Sequence, residues 1–273
     1  APVIPMRKMR VEVHVGKEFS GVLIIMMFLL LMFTFVLPSP MSMFPRALDH
    51  AYSPTTIAAG SMPVRPGEPI PDWLDTLNWM RVNLPPSPPD GPTVVASWWD
   101  YGYWITIIAN KTTLADNGTI NVTQIGRIGE MFLSNETEAI KILQILQEYH
   151  ATHVVVFTTF QQDGSDVGWA DEGKWRWMAR IAGLNDSDYG ESDPDTGQWR
   201  WYNVTEAEEK GKLPGQETVI YKLMQYGRDI TLRGSSTIQL TYFEKAYFSQ
   251  EAGAPRFYGD AVPLVCVYKI KYT

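Results

Sequence analysis

The sequence predicts a mixed α/β domain, rich in helix around a small, partly parallel sheet with a β-rich C-terminal part, preceded by one transmembrane helix. Three observations lead there. Residues 19–37 form a single uncharged apolar run, F-S-G-V-L-I-I-M-M-F-L-L-L-M-F-T-F-V-L. Two short β-branched runs, at 93–97 and 152–160, are separated by two stretches of helical periodicity. A strand–helix–helix–strand order implies a crossover and parallel pairing. The last segment, 262–272, reads as strand from its alternation of apolar and polar residues. With 273 residues, 45% of them hydrophobic, the chain can bury a sizeable core.

Taken in order, the apolar run reaches roughly 28 Å as a helix, the thickness of a bilayer's hydrocarbon core. Arg7, Lys8, Arg10 and Lys17 precede it, whereas only Arg46 follows nearby. This bias places residues 1–18 in the cytoplasm and everything beyond residue 37 on the extracytoplasmic face. The run exceeds the core of a secretory leader and lacks a small-x-small cleavage site, which favours an anchor. The chain begins with Ala1, as a fragment of a longer protein would. Eight prolines from Pro38 to Pro71 forbid helix and make 38–71 an extended connector.

The globular domain is expected over 72–273. It starts with a helix capped by Asp72, with Trp73, Leu77 and Met80 on one face. A second proline cluster at 85–92 ends this helix, and residues 93–97 (T-V-V-A-S) follow as a buried strand. Helices are expected at 103–109, 123–132 and 136–149. In the last, Ala139, Ile142, Leu143 and Leu146 share a stripe, and Asn135 with Glu138 forms a capping pair. Residues 152–160 (T-H-V-V-V-F-T-T-F) form a second buried strand, and 161–173 a polar loop suited to act as a flap. An amphipathic helix at 173–182 aligns Trp175, Met178, Ala179 and Ala182. Residues 185–215 read as an irregular or hairpin insertion, and 217–226 as a helix stopped by Gly227.

Composition narrows the function classes. A net charge of -7 without a basic face argues against nucleic acid as a partner. The 10 Trp and 13 Tyr suit a large core or a surface that grips peptide or sugar. Asn110, Asn117, Asn121, Asn135, Asn185 and Asn203 each begin an N-x-Ser/Thr triplet, and only Asn78 and Asn83 do not. Chance would place about one Asn in seven there. The excess agrees with an extracytoplasmic chain and makes these six candidate glycosylation sites. Cys266, the only cysteine, is expected as a small core residue.

Chemistry concentrates in Trp98-Trp99-Asp100-Tyr101-Gly102, at the carboxyl end of the first strand, where α/β sheets commonly meet ligands. A tryptophan pair beside a turn aspartate is, by itself, ordinary core. Its continuation includes residues 110–117, N-K-T-T-L-A-D-N. Residues 171–181 add D-E-G-K-W-R-W-M-A-R-I. Together these closely resemble the catalytic subunit of the asparagine-linked oligosaccharyltransferase. In that family W-W-D-Y-G heads the external C-terminal domain and N-x-T-T-L-x-D-N follows. The archaeal and eukaryotic members carry a second motif, D-x-x-K-x-x-x-M-x-x-I, here Asp171, Lys174, Met178 and Ile181.

The resemblance implies that Trp98, Trp99 and Asp100 read the hydroxyl two residues after the acceptor Asn. A carboxylate accepts the hydroxyl proton, an indole N–H can donate to its oxygen, and the rings exclude water. Such a site rejects analogues lacking the hydroxyl, because its own polar groups would be stranded. Met178 is implied to touch the threonine methyl, with Asp171 and Lys174 orienting its helix and Tyr101, Gly102 and Ile181 in support. Transfer itself is implied to need metal-bound carboxylates on a multi-span membrane region, with Mn²⁺ or Mg²⁺. No catalytic or metal-binding residue is therefore expected in this chain, which alone should select acceptor but not catalyse. The implied partners are acceptor polypeptide, membrane, and lipid-linked oligosaccharide through the rest of the enzyme. The rival reading is a non-catalytic, membrane-anchored surface protein with an aromatic sugar- or peptide-binding domain. It does not predict both motifs together.

Overall fold

The computed structural model describes residues 17–35, 71–146, 151–195, 197 and 199–272. The chain divides into two compact units, residues 1–54 and 55–273. In the first, Lys17–Phe35 forms one helix, α1. Its described side chains run from Ser20 to Leu30, about 16 Å of helix, and Val22 to Leu30 are exposed. Among the described residues no helix is long and apolar enough to cross a membrane. Most of the expected cytoplasmic segment, the end of the expected span at residues 36–37, and the connector up to residue 70 lie outside the described residues.

The second unit is built on a five-stranded sheet. Helix α2 (Asp72–Asn83) precedes strand β1 (Val94–Ala96), a 3₁₀ turn (Trp99–Tyr101), α3 (Gly102–Ile107) and β2 (Thr112–Thr113). Then come α4 (Val122–Leu133), α5 (Glu136–Ile145), β3 (His153–Phe160) and α6 (Asp171–Ile181). A two-stranded hairpin of β4 (Gly190–Ser192) and β5 (Trp199–Trp201) leads to α7 (Val204–Lys210) and α8 (Val219–Arg233). Strands β6 (Phe243–Phe248) and β7 (Val262–Ile270) finish the chain. The sheet order is β2-β1-β3-β7-β6. β1 is parallel to β2 and β3, with Ala96 opposite Val154, and β7 is antiparallel to β3 and β6. The expected parallel pairing of the two hydrophobic strands is therefore present.

β3 is buried along its whole length, and β7 is buried at every residue except Lys269. Side chains of a strand alternate between faces, so both faces of the sheet are covered. Helix α8 packs on β3 and β7, α2 on β7, and α6 on β3. β7 thus differs from the alternating strand expected, because it lies between β3 and β6 under helices. Cys266 is a free, fully buried thiol in this layer, as expected.

Other differences have local causes. Asp72 is not the cap of α2: Pro71 holds that position, and Asp72 is a buried first-turn residue. Its carboxylate accepts from Gln250 Nε2 at 2.7 Å and faces Arg256 at 3.4 Å. Burial pushes its pKa up to about 6. Helix α8 passes through Gly227 and ends at Gly234, whose φ of 73° supplies the left-handed stop. Gly227 serves packing instead, since a Cβ there would sit 2.6 Å from Cys266 Sγ. Within 185–215 the expected hairpin forms, but α7 was not foreseen. Its signal was present as N-x-x-E: Asn203 and Glu206 form a reciprocal capping box. Asn135 caps α5 by accepting from Glu138 N–H, whereas the Glu138 carboxylate pairs with Lys141. Helix α5 is assigned to Ile145, and residues 147–150, which include the end of its expected extent, are outside the described residues.

Candidate functional site

β1 is only three residues long, so β3 continues past it, and Phe157 keeps an N–H with no strand partner on that side. A buried N–H must find an acceptor. Asp171 Oδ2 supplies it at 2.8 Å from the first turn of α6. The other carboxylate oxygen accepts from Tyr101 Oη at 2.7 Å. Sheet, W-W-D-Y-G turn and α6 thus meet at one fully buried carboxylate.

Burial raises the Asp171 pKa to about 7, against the opposing pull of Lys174, the Phe157 N–H and Tyr101. Burial, reinforced by the negative charge of Asp171, also keeps the Tyr101 phenol well above its ordinary value. The Tyr101 ring packs 4.6 Å from Trp73 and 6.3 Å from Phe157, centroid to centroid. On its outer side Lys174 reaches Tyr101 Oη at 3.1 Å, lies 4.5 Å from the ring centre, and pairs with Asp100 Oδ2 at 2.7 Å. The order inward is therefore Asp100, Lys174, Tyr101, Asp171, sheet. A helix residue and a turn residue about 70 positions apart become one ionic edge.

Asp100 and Lys174 are each about a quarter exposed, at 28% and 27%. Asp100 Oδ1 is buried and accepts no hydrogen bond among the described residues. Trp99 is partly exposed, and its ring centre lies 6.4 Å from that of Trp98. Gly102 keeps the turn tight, because a Cβ would lie 2.4 Å from Ala115 O and from Asp116 Cα.

The expectation of an open pocket walled by Trp98 and Met178 differs from the geometry. Trp98 is 2% exposed and Met178 0%, and both belong to the hydrophobic core. Asp171, Trp175, Met178 and Ala179 occupy the buried face of α6, while Lys174 and Ile181 lie on its outer side. Met178 offers no surface to a ligand in this conformation.

The site includes residues that pattern reading did not assign to it. Asn117 brackets the turn: its Oδ1 accepts from Tyr103 N–H at 3.1 Å and its Nδ2 donates to Asp100 O at 3.0 Å. Glu172, buried with a raised pKa, accepts from Thr159 Oγ1 and from the N–H groups of Gly168, Trp169 and Ala170. Together with the Asp166–Arg228 ion pair, it pins the loop preceding α6. Nothing in the local sequence marks Glu172. The six N-x-Ser/Thr asparagines are all exposed, and Asn121, Asn135, Asn185 and Asn203 cap helices or 3₁₀ turns. Capping gives these asparagines a structural use that the triplet alone does not reveal.

As a metal centre the site does not fit. Asp100 is the only acid of the turn, its Oδ2 is taken by the Lys174 ammonium, and hard divalent ions need several oxygen donors. Among the described residues no group of three or more His, Cys, Asp or Glu side chains is placed to hold an ion.

Residues 92–184 match the family model described as the STT3/PglB/AglB core domain. Over 222 residues the chain is 32% identical to the dolichyl-diphosphooligosaccharide–protein glycosyltransferase subunit STT3B of Oryza sativa subsp. japonica, covering 73% of this chain and 28% of that protein. Among solved structures it is similar to the C-terminal globular domain of an Archaeoglobus fulgidus oligosaccharyltransferase: 22% identity, TM-score 0.42, 75% of this chain and 99% of that one. It is also similar to Archaeoglobus fulgidus AglB in complex with an inhibitory peptide and a dolichol-phosphate: 21% identity, TM-score 0.41, 67% and 23% covered. The chain spans about a quarter of the length of the curated relatives it matches.

Proposed function

We propose that this chain, whose globular domain belongs to the STT3/PglB/AglB oligosaccharyltransferase family, supplies the part that recognises the N-x-Ser/Thr acceptor during asparagine-linked glycosylation. The observation that carries the reading is Asp100 Oδ1, a buried carboxylate oxygen with no hydrogen-bond partner among the described residues, on the residue that follows Trp98 and Trp99 in the chain. A hydroxyl on the acceptor would satisfy that oxygen once the turn shifts enough to uncover it, since the oxygen is itself buried. Lys174 fixes the carboxylate from its other side. An acceptor with no hydroxyl leaves the oxygen stranded, so discrimination follows from the cost of a buried unmade hydrogen bond.

Asp171 and Tyr101 act as positioning residues, transmitting the rigidity of β3 to Lys174 and Asp100. Met178 would serve as the wall behind a threonine methyl, a contact that requires the core packed over it to open, since it is fully buried. Ile181 and Gly102 complete the two motifs. The transfer step is assigned to a membrane region outside this chain, with Mn²⁺ or Mg²⁺ supplying Lewis-acid chemistry there, so the chain alone is inactive. Residues 19–37 would anchor the domain, leaving residues 1–18 cytoplasmic and the domain extracytoplasmic, beside lipid-linked oligosaccharide. The exposed sequon asparagines would be candidate acceptors in that compartment.

The experiment is Asp100→Ala in the complete enzyme, assayed with N-x-Thr and N-x-Val peptides. Transfer to N-x-Thr should fall by at least about 100-fold with the fold retained, removing the advantage over N-x-Val. Substantial residual preference for the hydroxyl would take Asp100 out of this role.

A further inference from the structure

We propose that the outer stripe of α6 beyond Lys174, made by Trp177 and Ile181, reads an apolar or aromatic residue flanking the sequon on the acceptor polypeptide. The inference rests on the acceptor-recognition reading above and extends it to residues outside the triplet.

Trp177 is 57% exposed and Ile181 37%, whereas Trp73, Trp98, Trp175 and Trp201 are all 7% exposed or less. Lys174, Trp177 and Ile181 stand at i, i+3 and i+7 of one helix, so they form one ridge. One end of that ridge is already fastened to the candidate site, through the ion pair from Lys174 to Asp100. Seven residues of helix rise about 10 Å, the length of about three residues of extended peptide. A polypeptide whose hydroxyl residue meets Asp100 can therefore lay its next few residues along the ridge.

The guanidinium of Arg180 lies 4.7 Å from the Trp177 ring centre. A cation over one face steadies the indole, so ordering it costs less when a peptide side chain packs against it. The same charge disfavours lysine or arginine at that flank. An aromatic or aliphatic side chain fits best.

The test uses the complete enzyme and N-x-Thr peptides carrying one Phe or one Gly at each of three positions on either side of the sequon. At one position Phe should lower KM about fivefold relative to Gly. Trp177→Ala should erase that difference, and Trp177→Phe should keep most of it. A flank preference that survives Trp177→Ala, or an equal loss across all peptides, would overturn the inference; equal loss would point to contact with something other than the flank. If the wild-type enzyme rejects N-x-Val yet shows no flank preference, only this inference falls. If it accepts N-x-Val as readily as N-x-Thr, the reading beneath it falls as well.

Discussion

Replacing Asp171 with asparagine probes the carboxylate on which sheet, turn and helix converge. Its pKa of about 7 in the folded chain compares with an ordinary 3.8, and burial is the largest cause. Between these values the folded carboxyl holds a proton that the unfolded one has lost. Folding then takes up a proton, and stability falls as pH rises through the window. A separation of about three pKa units corresponds to roughly 4 kcal/mol across it. The amide introduced by Asp171→Asn cannot ionise. It can accept from Phe157 N–H and, with the Tyr101 bond reversed so that Tyr101 Oη now accepts, donate through its amide, as a protonated aspartate would donate through its O–H. Asp171→Asn should therefore match the wild type near pH 4 and exceed it by a few kcal/mol near pH 8. Urea unfolding at both pH values measures the difference. A gap that does not change with pH, or a variant less stable at pH 8, would refute the assignment of a protonated, buried Asp171.

Gly102→Ala forces a Cβ to within 2.4 Å of Ala115 O and Asp116 Cα, both backbone atoms that cannot swing aside. It should cost about 1–3 kcal/mol or more by thermal unfolding, and a variant as stable as the wild type would show that the turn is looser than described. Met178→Ala should lower stability by about 2–5 kcal/mol and also narrow the preference for Thr over Ser acceptors. Loss of stability with an unchanged Thr/Ser ratio would leave Met178 as a core residue alone.

Much of the fold was legible because it rests on short-range pattern. The uninterrupted V-V-V-F of β3, the amphipathic faces of α2, α4 and α6, and the proline cluster ending α2 are each written in a few adjacent residues. Where reading failed, a neighbour distant in sequence decided. Gly227 looks like a helix stop until Cys266, 39 positions away, is seen to need the space. Asp72 looks like a cap until Gln250 and Arg256 arrive to bury it. The loop before α6 looks like a free flap until Glu172 and Arg228 pin it.

By itself the sequence determined the two motifs and, apart from the two-residue strand β2, the order of strands and helices between them. Only the tertiary structure decided which of those residues face solvent. Lys174 and Met178 are four positions apart on one helix, yet one meets Asp100 and the other is sealed in the core. Part of the physical reason is the Phe157 N–H, which finds no strand partner and binds Asp171, adding a polar anchor to the apolar buried face of α6. The amphipathic pattern of α6 already turns Trp175, Met178 and Ala179 inward; what it does not show is that Asp171 goes in with them, because that depends on where β1 stops pairing with β3.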